Sequence, residues 1–217
     1  TFTWQHPIPQ GNSLESVACI GNTCWAVSLA GTIIKSSDGG TTWSVQVLTR
    51  FGFRDIYFSN ATTGYAVGDS GTVYKTSDAG TTWNQQTSGT TSTLQSVFFT
   101  DANTGYIAGG SSGIILKTTD GGSNWASVYS SVSQYLKDIM FIDSNTGFAT
   151  AGGDVIKTTD AGATWTTLTV GSWVALESVY FVDADTGYVV TWSSYVKKTT
   201  DGGSTWTQLT MPIFTNL

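Results

Sequence analysis

An eight-residue phrase returns five times in this chain of 217 residues: SSDGGTTW (36–43), TSDAGTTW (76–83), TTDGGSNW (118–125), TTDAGATW (158–165) and TTDGGSTW (199–206). Asp38, Asp78, Asp120, Asp160 and Asp201 follow one another at intervals of 40, 42, 40 and 41 residues, and Trp43, Trp83, Trp125, Trp165 and Trp206 keep the same steps. A fixed period of this length marks a supersecondary unit that cannot bury its apolar face alone and must stack on copies of itself.

The flanks repeat as well. LQSVFFTDANTGYIAGG (94–110) is echoed by LKDIMFIDSNTGFATAG (136–152), LESVYFVDADTGYVVT (176–191) and FRDIYFSNATTGYAVGD (53–69), while LESVACIGNTCWAVS (14–28) is shorter by two residues in its turn. Each unit reads as four short strands: one ending near FxD, a TGY strand, a strand such as TVYKTSD, and a last one opening at the tryptophan. Turns fall where Asn-Thr-Gly, Gly-Ser-Gly and Asp-Gly-Gly supply positive φ or side-chain caps. With 25 Gly, 13% aromatic and only 11% charged residues, the composition suits a chain rich in turns and strands. The predicted fold is all-β: a single domain over 1–217, a five-bladed β-propeller of four-stranded antiparallel blades. Its repeats run over about 14–52, 53–93, 94–135, 136–175 and 176–217, and residues 1–13, with Trp4 in WQHPIP, form an N-terminal closing strand.

The phrase SxDxGxxW resembles the Asp box, also called the bacterial neuraminidase repeat. The whole unit, with TGYAVG and KTxDGGxTW, resembles the blades of the photosystem II stability/assembly factor family from Trp4 to about Thr210. That resemblance implies a propeller with one Asp box per blade. The residues themselves give the box a structural role: the carboxylate caps turn amides, glycine takes φ values closed to other residues, and the tryptophan anchors the turn. Lys35, Lys75, Lys117, Lys157 and Lys198 share one slot and are expected to lay their stems over apolar neighbours. One carboxylate per blade falls short of a calcium cage, so no metal and no cofactor is expected.

A net charge of -6 opposes attraction to phosphate backbones or anionic lipid, which excludes nucleic acid as an expected partner. Membrane insertion is not expected, since no apolar run is long enough, and TFTW at the start lacks the parts of a signal peptide. Cys19 and Cys24 in CIGNTC face each other across an expected hairpin. A disulfide there closes a short loop worth only about 2 kcal/mol, and implies an extracellular or periplasmic compartment.

Function is sought in what departs from the repeat. Trp173 enters the last unit and Trp192 sits in its central hairpin with Tyr195, where other copies carry Gly, Ser or Asp. Exposed aromatics on loops suit a sugar ring or a peptide. The position after the repeated Leu or Phe is also variable, holding Glu15, Arg54, Gln95, Lys137 and Glu177, which are expected around one mouth of the channel. Trp173, Trp192, Tyr195, Arg54 and Lys137 are therefore the candidate ligand-binding residues. Glu15 and Glu177, the only glutamates, are the candidate carboxyl pair of a glycoside hydrolase. Arg50 and Arg54 alone fall short of the three arginines a sialidase needs, and the single His6 excludes a histidine-rich metal site. The expected function is a non-catalytic binding module for a protein or glycan, with a carbohydrate-binding or hydrolytic propeller and a structural repeat of a larger surface protein as alternatives.

Overall fold

The computed structural model describes residues 13–171, 175–193 and 195–210. All but the last residue of the expected closing strand lies outside them. The strands are β1 (Leu14–Ile20), β2 (Thr23–Ser28), β3 (Thr32–Ser36), β4 (Ser44–Val47); β5 (Phe53–Phe58), β6 (Gly64–Gly68), β7 (Val73–Thr76), β8 (Asn84–Gln86); β9 (Leu94–Phe99), β10 (Gly105–Gly109), β11 (Ile114–Thr118), β12 (Ala126–Ser130); β13 (Ile139–Phe141), β14 (Gly147–Ala151), β15 (Asp154–Thr158), β16 (Thr166–Leu168); and β17 (Leu176–Phe181), β18 (Gly187–Thr191), β19 (Val196–Thr199), β20 (Thr207–Gln208). They form five four-stranded antiparallel sheets, each from four strands in chain order. Among the described residues the only helical element is a 3-10 turn, Asp69–Gly71, between β6 and β7.

The chain divides into two compact units, Thr1–Ile107 with Thr118–Ala126, and Ala108–Lys117 with Ser127–Leu217. In the first, Trp25, Val27 and Ile33 of one sheet bury themselves against Phe53, Ile56 and Phe58 of the next. In the second, Phe148 and Val155 meet Leu176, Val179 and Phe181. The same ring-on-ring contact recurs: Trp25 stacks on Phe58 at 3.6 Å, Tyr65 on Phe99 at 3.9 Å and Phe148 on Phe181 at 3.5 Å between centroids. Burial of these faces is the main driving force of the fold.

The repeated turn shows why its letters recur. In all five copies the hydroxyl of Ser36, Thr76, Thr118, Thr158 or Thr199 donates to the aspartate Oδ1 at 2.7–2.8 Å and accepts the amide of the second glycine at 2.8–2.9 Å. The same Oδ1 accepts the amide of the residue four places after the aspartate: Thr42, Thr82, Asn124, Thr164 or Thr205. The backbone bends through two successive left-handed residues, and at the first of them Ala79 (φ 59°) and Ala161 (φ 56°) stand where Gly39, Gly121 and Gly202 stand in the other copies. A Cβ there costs about 1–2 kcal/mol. Ala79→Gly is expected to raise stability by about 1 kcal/mol after the added freedom of the unfolded chain is subtracted, measurable as a higher urea midpoint.

A second rule explains TGY. In the last four sheets a phenylalanine ends the first strand and its ring covers a glycine of the second: Phe58 over Gly64, Phe99 over Gly105, Phe141 over Gly147, Phe181 over Gly187. A Cβ at any of these glycines would come within 2.5–2.6 Å of the ring. In the first sheet the paired positions are Cys19 and Cys24, joined by a disulfide, which fills the same space across the hairpin.

Candidate functional site

At Glu15, Arg54 and Glu177 the variable position after the repeated Leu or Phe is a β-bulge. Pairing slips between Leu14 and Ser16, Phe53 and Asp55, and Leu176 and Ser178, leaving Glu15, Arg54 and Glu177 as the extra residues. Lys137 occupies the matching place before β13, where the Thr150 hydroxyl accepts the amides of both Lys137 (2.9 Å) and Asp138 (3.1 Å). A bulge re-aims its side chain, which is how a strand otherwise committed to the core presents a charged group at its end.

In the second unit these positions converge. The Lys137 ammonium forms an ion pair with the Glu177 carboxylate. It also lies over two rings, Trp192 at 5.6 Å and Tyr135 at 5.9 Å from their centroids, within cation–π range. Beneath the pair, Asp138 accepts the Ser178 hydroxyl and the Val179 amide (3.0 Å), clasping β17 to the preceding sheet. Trp192 is 77% exposed on the turn between β18 and β19, a turn closed by Thr191 and Tyr195, whose amides and oxygens bond reciprocally at 3.0–3.4 Å. Tyr195 is exposed beside it. Lys197 fixes the connection entering β17 by donating to the carbonyls of Val170 (2.8 Å) and Gly171 (3.2 Å). Trp173, which falls in that connection, lies outside the described residues.

The first unit holds the other candidates. Arg54 forks onto Asp69, Nε to Oδ1 at 3.0 Å and Nη2 to Oδ2 at 3.3 Å, so its guanidinium is engaged within its own blade. Glu15 is exposed on β1. Among the described residues no group of three or more His, Cys, Asp or Glu gathers that could hold a metal ion, and no helix is long and apolar enough to cross a membrane. Two participants were not singled out from sequence: Asp69 as the partner of Arg54, and Tyr135. The signal for Tyr135 was available, because the other repeats carry Ser13, Gly52, Thr93 and Ala175 before the same Leu or Phe.

Chemically, the second unit offers a flat exposed indole, a phenol and a paired charge: a surface able to stack on an apolar or ring-shaped group while exchanging hydrogen bonds at its edge. The Glu177 carboxylate is occupied by Lys137.

The model of one protein family, photosynthesis system II assembly factor YCF48, matches residues 44–177. No curated protein matches the chain. Among solved structures, YCF48 bound to D1 peptide superposes with a TM-score of 0.73 at 18% identity, covering 91% of this chain and 66% of that one. YCF48 from Cyanidioschyzon merolae gives 0.72 at 17% identity, covering 90% and 69%. The GH74 enzyme of Niastella koreensis gives 0.71 at 21% identity, covering 90% and 38%. The chain therefore spans about two thirds of the YCF48 structures and less than half of the GH74 enzyme. Identities this low establish the fold and no more: a β-propeller, here with five four-stranded antiparallel blades. Since the family match takes in more than half of its residues, the chain belongs to the photosynthesis system II assembly factor YCF48 family.

Proposed function

We propose that the chain is a non-catalytic protein-binding module of an extracellular or periplasmic compartment, and that it takes a segment of its partner on the surface around Trp192, Tyr195, Tyr135 and the Lys137–Glu177 pair. The observation that carries this reading is the 77% exposure of Trp192, an indole held in place by a cation rather than buried. A side chain of this size, rigid and left open, is the usual anchor of a peptide contact. Support comes also from the YCF48 structure, whose bound ligand is a peptide. The five repeated turns are read as Asp boxes and belong to the scaffold. The Cys19–Cys24 disulfide supports an oxidising compartment.

A second reading, a carbohydrate-binding or hydrolytic propeller, draws on the likeness to the GH74 enzyme. In it Glu177 would serve as one of two catalytic carboxyls with Glu15. The ion pair with Lys137 gives Glu177 a structural partner instead.

The test is a peptide array and a glycan array probed with the intact chain, followed by titration of the best ligand. Trp192→Ala is expected to weaken a peptide at least about tenfold with melting unchanged, as loss of an aromatic anchor does. Unchanged affinity would remove Trp192 from the contact, and selective capture of glycans would replace the first reading by the second.

A further inference from the structure

One departure from the repeat lies outside the Trp192 surface. The segment QQTSGTTST (85–93), which begins in β8, holds only Gln, Thr, Ser and Gly, whereas its counterparts carry Leu48 and Phe51, Tyr129 and Tyr135, or Leu168 and Val170. Together with the Asp69–Gly71 turn of the same blade, it bounds an open cleft of about 830 Å³ within the first unit. That volume falls in the range of roughly 300–1,000 Å³ common for small-ligand sites, but such sites are mostly apolar and this one is polar.

The two walls are fixed to each other. The buried Ser88 hydroxyl donates to the Gly71 carbonyl (2.7 Å), the Gly71 amide to the Ser92 carbonyl (2.8 Å), and the Ser92 amide to the Thr90 hydroxyl (3.1 Å). Other lining groups are left unused. Among the described residues, the side chains of Ser70, Gln85, Thr87 and Thr91 have no hydrogen-bond partner, and all four are exposed. The Gln86 amide nitrogen donates to the carbonyls of Asn84 (3.1 Å) and Gln85 (3.2 Å), which leaves its oxygen as an acceptor. Backbone strain singles out Ser70. Its φ of 57° and ψ of 35° are left-handed, a conformation glycine takes without cost, yet a hydroxyl is kept there.

No lining side chain is charged or aromatic, and Asp69, which opens the turn, is paired with Arg54. The cleft thus lacks a cation for phosphate, sulfate or carboxylate, a carboxylate for an amine, and an apolar recess for the anchor side chain of a peptide. What it offers is hydroxyls and carboxamides, each able to donate and to accept, as every hydroxyl of a sugar can. We infer that this cleft is a second binding site, and that its ligand is a neutral oligosaccharide. Each hydrogen bond replaces one to water and gains little, so affinity accumulates over several sugar units. The site is independent of the Trp192 surface, and a glycan held here leaves the peptide reading of that surface standing.

Amide NMR of the intact chain, titrated with neutral oligosaccharides of glucose, galactose and mannose, tests this. The signals of residues 70–71 and 85–91 are expected to shift saturably, at lower concentration for longer oligosaccharides, and uronic acid oligosaccharides are expected to bind no better. Gln85→Ala combined with Thr87→Ala removes two unused partners and is expected to weaken binding about tenfold. Ser70→Gly separates binding from folding. It removes one hydroxyl while relieving the left-handed strain, so binding should weaken about threefold with the melting temperature level, the relief offsetting the added freedom of the unfolded chain. Circular dichroism secures that each variant is folded. Absence of a saturable shift with all of these sugars, equal shifts with glycerol, or full affinity in both variants would overturn the inference. Glycan capture that Trp192→Ala abolishes and the cleft variants spare would overturn it as well, since it belongs to the carbohydrate reading of the Trp192 surface.

Discussion

Phe99→Ala is expected to cost about 3–5 kcal/mol of stability, as full truncation of a buried aromatic does. The ring is 3% exposed, stacked on Tyr65 at 3.9 Å and edge-on to Trp125 at 6.0 Å, so neighbours on both sides lose contacts that a collapsing cavity cannot restore. Its partner gives the prediction a sharper form. A Cβ at Gly105 would lie 2.5 Å from the Phe99 ring, and because Tyr65 and Trp125 box that ring in, Gly105→Ala alone is expected to destabilise by about 1–3 kcal/mol. With Phe99 already replaced by Ala, the same Gly105→Ala change meets open space. It is then expected to be neutral or mildly stabilising, since alanine restricts the unfolded chain more than glycine does. Urea denaturation of the four members of this double-mutant cycle measures the coupling, which should approach the whole cost of the single Gly105 substitution. Additive effects would mean that glycine is required at TGY for some reason other than the ring above it.

The same pair shows how far the sequence could be read. The 40-residue period located the hairpins, because Asp101 and Asn103 are turn residues and the segments on either side of them read as strands; the Asp101 carboxylate does accept the amides of Asn103 and Thr104 at 2.7 and 2.8 Å. What no strand pattern announces is which first-strand residue is the extra one. The bulges at Glu15, Arg54 and Glu177 shift the facing of everything before them by one residue, so the partners of these side chains were not legible. Arg54 turns to Asp69 inside its own hairpin, whereas Lys137 turns to Glu177, its equivalent in the next repeat. Forty residues separate that pair, yet equal places in successive repeats are neighbours in space, a rule that would have suggested the contact. The Trp192 site was half legible. Trp192 and Lys137 stood out as departures from the repeat, but that one lies over the other depends on side-chain direction just outside the strands, which composition does not encode.

Acid is expected to unfold the chain within a narrow window, and the repeated turn sets that window. Asp38, Asp78, Asp120, Asp160 and Asp201 are each held down to about 2. The cause is hydrogen bonding to the charged form, led by the side chain four residues on (Thr42, Asn124, Thr164, Thr205) or, at Asp78, by the Thr82 amide. Asp101, Asp143 and Asp183 are lowered as well, chiefly by the amides of their own turns. A carboxylate whose folded value lies below its unfolded one contributes stability that is complete above the unfolded value, near 4, and is lost as pH falls through the folded value, near 2. The unfolded chain therefore binds more protons than the folded chain only between these limits. Because the five turns act in parallel, their contributions should fall together. The melting temperature is expected to stay level from neutral pH to about 4 and then drop steeply toward pH 2, more steeply at low salt if charge repulsion among the protonated chain adds to the loss. Asp120→Asn tests the origin: the amide oxygen still accepts from the Asn124 amide but no longer titrates, so the variant should lose some stability at neutral pH and show a shallower fall below pH 4. A decline already under way at pH 6, or a variant whose acid slope matches that of the wild type, would show that the turns are not what acid breaks.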